Sequence, residues 1–225
     1  MRPLIVLALG LLLGSSAMAV EEPKFEQLTQ DGAFELRRYP AFIVAETFVS
    51  GDMDAASSQG FRAIADYIFG NNQSQTTVSG DASTKIAMTA PVTLEPAAPP
   101  QKIAMTAPVT LEPQAAAPGT PAALQGAKRW RVHFVMPSQY TLATLPLPKN
   151  DAVALREVPA KTWAVLRYSG FNSEARVQEH TNELLAWLTT RQWVPVGNPQ
   201  LARYDPPWTL PMFRRNEILV EIQQP

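Results

Sequence analysis

With 225 residues, 46% of them hydrophobic, the chain has material for one domain of ordinary size with a substantial core. A formal net charge of −1 and the absence of any basic block argue against a nucleic-acid partner and against a polybasic membrane patch. Cysteine is missing, which excludes disulfides, thiolate metal sites, cysteine nucleophiles and a lipidated amino-terminal cysteine.

The first residues read as an export signal. Arg2 supplies a positive n-region, Leu4–Leu13 is an apolar run, and Ala17-Met18-Ala19 is an A-x-A cleavage site. That run is too short to cross the bilayer as a helix, which needs roughly twenty apolar residues. Residues 1–19 are therefore expected to be a signal peptide and 20–225 a single periplasmic or secreted domain, with no stable membrane span after processing.

Phe34–Ser50, rich in aromatic and β-branched residues, predicts one long or bent strand with Pro40 at the break. Asp54–Phe69 predicts a helix, with Phe61, Ile64, Ala65 and Ile68 on one stripe and Gly70-Asn71-Asn72 as the stop. The string K-I-A-M-T-A-P-V-T-L-E-P then occurs twice, at Lys85–Pro96 and again at Lys102–Pro113. Lys85–Val92 and Lys102–Val109 read as strands, set in a Pro/Ala-rich repeated insert around 85–127. One copy suffices for a sheet, and the other is expected in an edge hairpin or loop, because proline cannot donate to a central ladder.

Trp130–Met136 alternates apolar and polar residues as a half-buried strand, which leaves His133 on the polar side with Arg129 and Arg131. A pair of strands follows, Ala152–Val158 and Thr162–Tyr168, turning at Pro159-Ala160. Ser173–Arg191 predicts a second helix with the stripe Val177, Thr181, Leu184, Leu185 and Leu188. Leu201–Tyr204 and Glu217–Ile222 close the chain as strands. Each half thus reads β-α-β-β, with a glycine (Gly51, Gly170) before its helix.

The K-I-A-M-T-A-P-V segment resembles the hallmark of the SOUL heme-binding protein family. So do F-E-L-R-R-Y-P-A-F-I-V-A-E-T at Phe34–Thr47, F-R-A-I-A-D-Y-I-F-G-N-N at Phe61–Asn72, W-R-V-H-F-V-M-P-S-Q-Y at Trp130–Tyr140, Y-D-P-P at Tyr204–Pro207 and R-R-N-E-I at Arg214–Ile218. The resemblance implies an α+β fold in which two βαββ units form a curved antiparallel sheet or distorted β-barrel flanked by two helices. It further implies non-enzymatic, reversible binding of heme or a related tetrapyrrole in a groove beside the first helix. Where vertebrate members place extra basic residues on that helix, this chain has Ser57, Ser58 and Asp66, leaving Arg62 as its cation there.

The residues themselves exclude much other chemistry. There is no G-x-S-x-G elbow, no H-x-x-x-H or H-E-x-x-H spacing, and no P-loop or Rossmann glycine pattern. What remains is an apolar surface for a flat, hydrophobic ligand. Phe61, Ile64 and Ile68 offer apolar side chains with Arg62 beside them. Met88, Met105 and Met212 offer adaptable, polarisable contacts, and Arg214 a partner for a carboxylate. Core packing and surface ion pairing are the competing roles for all of these. His180, on the flank of the second helix, and His133 are the imidazoles able to reach an iron. The alternatives to heme are another planar hydrophobic effector or, in a different class, an enzyme acting on a tetrapyrrole or hydrophobic ester.

Overall fold

Period-two and period-3.6 patterns both materialise in the structure, a computed structural model that describes residues 21–73, 75, 103–114, 123–206 and 208–223. The strands are β1 (Glu26–Asp31), β2 (Phe34–Tyr39), β3 (Phe42–Ser50), β4 (Asn72–Gln73), β5 (Val109–Pro113), β6 (Arg129–Val135), β7 (Leu147–Pro148), β8 (Val153–Val158), β9 (Lys161–Tyr168), β10 (Gln200–Arg203) and β11 (Asn216–Glu221). Helix α1 (Met53–Ile68) follows β3, and α2 (Glu174–Thr190) follows β9. Among the described residues, nine strands form one antiparallel sheet in the order β1-β2-β9-β11-β10-β5-β6-β3-β8, and β4 pairs with β7.

That order contains two equivalent units. β3-α1-β5-β6 places its strands as β3, β6, β5, and β9-α2-β10-β11 places its strands as β9, β11, β10. The units meet at β5 and β10, where Leu111 lies opposite Leu201. Each helix starts the same way. Gly51 and Gly170 turn the chain at positive φ (131° and 113°), and a side-chain cap follows within three residues. Asp52 accepts from the Ala55 amide at 2.8 Å and Ser173 from the Arg176 amide at 3.4 Å.

Both helices lie on one face. The apolar cluster beneath them joins Ile64, Tyr67 and Ile68 of α1 with Trp130, Val132 and Phe134 of β6, and Leu184 and Leu188 of α2 with Ile218 and Val220 of β11. The opposite face is buried as well, because the sheet curls over itself. Phe42 at the start of β3 packs against Tyr39 and Trp163 at the other side of the sheet, and also against Val44, Val135 and Val158. The sheet remains open, with β1 and β8 as its edges.

Three expectations are corrected. Phe34–Ser50 is not one bent strand. β2 and β3 lie far apart in the sheet, because Pro40-Ala41 redirects the chain where no further ladder bond is possible. β8 and β9 are not a hairpin, since β8 pairs with β3 while β9 pairs with β2 and β11. In the second repeat the strand begins at Val109 rather than Lys102, and the residues before it run from the end of α1, where the Ile103 amide bonds the Ile68 carbonyl, to the end of β6, where the Thr106 hydroxyl bonds the Val135 carbonyl. The first copy, Lys85–Pro96, lies outside the described residues.

Candidate functional site

The side of α1 turned toward β10 carries Asp54, Ser57 and Phe61, spaced so that they share one face. Arg203, the last residue of β10, reaches Ser57 Oγ at 3.1 Å and Asp54 Oδ1 at 3.4 Å and ties the strand end to this face. Phe61, next along it, is 39% exposed and rests on the Phe134 ring at a centroid distance of 5.7 Å. From Arg203 the chain leaves the sheet and returns at Asn216, whose amide group meets Asn172 beside the start of α2.

This connection between β10 and β11 exposes an unusual amount of apolar side chain. Trp208 is 82% exposed and Phe213 72%, with Leu210 and Met212 more than half exposed between them. Phe171, before α2, is also open, and Arg214 holds its guanidinium 5.8 Å from that ring. The connection is braced from within: Arg214 Nε donates to the Thr209 carbonyl at 2.7 Å, the Arg215 amide donates to Asp205 Oδ2 at 2.6 Å, and the Tyr204 amide donates to the Arg215 carbonyl at 3.2 Å. Exposed apolar side chains grouped on a self-braced loop make this connection the candidate surface for an apolar partner. Phe171, Trp208, Leu210 and Phe213 were not selected from sequence. The signal for the loop was present in P-W-T-L-P-M-F, where prolines prevent an apolar run from entering a helix or a central strand.

The sequence-selected residues divide. Met212 and Arg214 lie on the connection just described, and Phe61 and Arg62 are exposed on α1. Ile64 and Ile68 point inward and are fully buried in the core cluster. Met105 is half-buried near the other end of α1, where the Ile103 amide bonds the Ile68 carbonyl at 2.9 Å. Met88 lies outside the described residues.

Neither histidine opens onto the apolar surface. The His180 ring packs on Tyr168 at 4.1 Å, its Nδ1 lies 3.0 Å from Glu183 Oε2, and its Nε2 is enclosed. His133 departs from the solvent-facing position expected for it. It is 7% exposed on the far face of the sheet, because the curled sheet covers that face. Burial pushes its imidazole down to about 3, with the charges of Arg156 and Arg131 adding to the shift. Among the described residues, no group of three His, Asp or Glu side chains could hold a metal ion, and no helix is long and apolar enough to cross a membrane.

The far face carries a charge network. Glu217 is fully buried and accepts from Arg37 Nη1 at 2.9 Å, Arg37 Nη2 at 3.1 Å, Arg215 Nε at 3.0 Å and Tyr204 Oη at 2.7 Å. Burial pushes its carboxyl up, but the Arg37 bonds and the Arg37 and Arg215 charges outweigh burial and hold it below the usual range. With its hydrogen-bonding capacity filled, this carboxylate is built for structure. A cavity of about 340 Å³ opens where β3 begins and β6 ends, walled by Lys24, Phe42, Ile43, Met136, Tyr140 and Leu142 among others.

A family model described as SOUL heme-binding protein matches residues 20–221. No curated protein sequence matches the chain. Among solved structures, the C-terminal domain of EcmrR superposes with a TM-score of 0.56 at 11% identity, over 85% of this chain and 98% of that one. An uncharacterized conserved protein from Listeria innocua gives 0.51 at 14% identity, over 84% and 92%. A protein from the same organism described as a hydrolase gives 0.50 at 13%, over 87% and 94%. At such identities the likeness is one of fold alone.

Proposed function

The chain belongs to the SOUL heme-binding protein family, and from that premise we propose that it is an exported, non-enzymatic protein that binds heme or a related tetrapyrrole reversibly on the α1 side of the β10–β11 connection. The observation that carries this reading is the run of exposed apolar side chains on that connection, Trp208, Leu210, Met212 and Phe213, together with Phe61 exposed on α1. Such surface suits a planar macrocycle. Its removal from water contributes about 25 cal/mol per Å² before association costs are subtracted. Arg62 and Arg214 are the cations at hand for propionate groups, and Met212 offers a thioether to an iron. His133 is buried on the far face of the sheet and His180 is stacked on Tyr168 with its Nε2 enclosed, which favours enclosure over imidazole ligation as the force that holds the ring.

Hemin titration followed by the Soret band tests this. Phe61→Ala and Trp208→Ala are each expected to weaken binding about tenfold or more, corresponding to at least about 1.4 kcal/mol. A thermal melt run alongside separates lost binding from lost folding, since Phe61 also packs on Phe134. The double variant His133→Ala/His180→Ala is expected to keep the Soret shift. Should it lose the shift while folded Phe61→Ala binds normally, imidazole ligation holds the cofactor and the present account is wrong.

A second reading, a module for a smaller planar effector, is favoured by the cavity at the start of β3, whose volume falls within the range of small-molecule sites. Binding that is abolished by Phe42→Ala and indifferent to Phe61→Ala would select it.

A further inference from the structure

β5 is an interior strand of the sheet, next to β10 where the two βαββ units meet, and its sequence is the one the chain carries twice. The side chains this place requires can be named. Ile103 is buried against the end of α1, Thr106 bonds the Val135 carbonyl through its hydroxyl, and Leu111 is fully buried opposite Leu201 and Val132. Glu112 pairs with Arg131 at 2.8 Å. Pro113 ends the strand opposite Trp130. All five belong to the repeated string, and their counterparts in the first copy are Ile86, Thr89, Leu94, Glu95 and Pro96. The bond beyond the string, from the Gln114 amide to the Arg129 carbonyl at 2.8 Å, is made by main chain and can be made equally by Ala97. Only the Gln114 side-chain bonds to the Glu112 and Pro113 carbonyls would have no equivalent.

The connections permit either copy as well. Gln75, through its amide to the Leu145 carbonyl, is anchored near the end of α1, where Ile103 also begins. Residues 76–85 can extend to about 33 Å, the reach available if Ile86 takes the place of Ile103. On the other side residues 97–122 replace 114–122 in the loop leading back to β6. One loop shortens while the other lengthens, and closure entropy changes only slowly with length, so the two arrangements are expected to be populated within about a few-fold of each other.

We propose that the β5 position is an intramolecular docking site with two occupants, Lys102–Pro113 and Lys85–Pro96, which exchange by a shift of one repeat. Met88 and Met105 are then alternates for a single place beside α1. The exchange does not depend on ligand binding.

The test uses the full chain and a carboxylate at the buried leucine. Leu111→Asp, Leu94→Asp and the double variant are compared by thermal melt and size-exclusion chromatography. Each single variant is expected to melt cooperatively within about 3 °C of the parent, as a monomer, because the intact copy fills the position. The double variant is expected to have no cooperative transition, since neither copy can then bury its side chain. The proposal is overturned if Leu111→Asp alone abolishes the transition, if it folds only as a dimer, or if the double variant melts like the parent.

Discussion

Arg37 and Glu217 are 180 positions apart in sequence and form a bidentate pair within the curl of the sheet. Water is excluded there, so the pair stands only because Glu35, Tyr39, Tyr204 and Arg215 satisfy its remaining hydrogen-bonding capacity. His133 is placed on the same face with the opposite outcome. Its cross-strand neighbour Glu46 is engaged by Arg156 at 2.8 Å and lies 3.7 Å from Arg131, and Glu112 pairs with Arg131, so no carboxylate remains to balance an imidazolium. The folded state therefore resists protonation. Because the folded value of about 3 lies below the ordinary 6.5, the unfolded chain binds the extra proton between these limits, and stability falls as pH drops through 6.5. Relative to neutral pH, the loss at pH 4.5 is expected to be about 2–3 kcal/mol. Urea unfolding at several pH values checks this. His133→Gln should flatten the slope between pH 6.5 and 4.5, and an unchanged slope would mean the imidazole is not its source.

Helix α1 owes its depth of seating to one glycine. A Cβ placed on Gly60 would come within 2.5 Å of the Val132 side chain, closer than van der Waals contact allows. The absence of a side chain there brings the helix down onto β6 and lets Ile64, Tyr67 and Ile68 bury completely. Gly60→Ala adds helix propensity, worth up to about 1 kcal/mol, but it forces α1 off the sheet, and overpacking of this kind costs about 1–3 kcal/mol. A net loss of stability is expected in chemical denaturation. A stabilised variant would show that the helix can lift without penalty. The glycine was visible in the sequence as one of several scattered singly, and nothing local marked it as a contact. The same limit applied to β2 and β3: Pro40 was legible as a break, but whether the chain resumes in the same ladder or crosses to another is settled by long-range pairing.

At the scale of the molecule, the two βαββ units place β5 and β10 at the centre and both helices on one face. The connection from β10 to β11 thereby runs from the α1 side, where Arg203 is anchored, to the start of α2. The proposed ligand surface draws on both units, the loop of the second and helix α1 of the first, which Arg203 ties to the end of β10. The proposed export would set the environment in which that surface works. Processing after Ala19 predicts a mature amino terminus at Val20, to be read by amino-terminal sequencing of the protein from the periplasmic fraction. Recovery with Met1 retained in the membrane fraction would contradict it.

Helix positions were determined by sequence alone to within a residue, 54–69 against Met53–Ile68 and 173–191 against Glu174–Thr190, because stripe, cap and stop are local signals. The βαββ order, the glycine before each helix and the family were legible for the same reason: each is written in contiguous residues. Phe61, Met212 and Arg214 were likewise identifiable as candidates for an apolar site. What tertiary structure alone decided is which strand neighbours which, that Ile64 and Ile68 turn to the core, and that His133 is sealed rather than solvated. It also brought Arg37 to Glu217, Arg203 to Asp54 and Ser57, and Phe61 onto the Phe134 ring. A single strand's alternation specifies two faces without saying what will cover either of them, and here the curl of the sheet covers the one that looked polar.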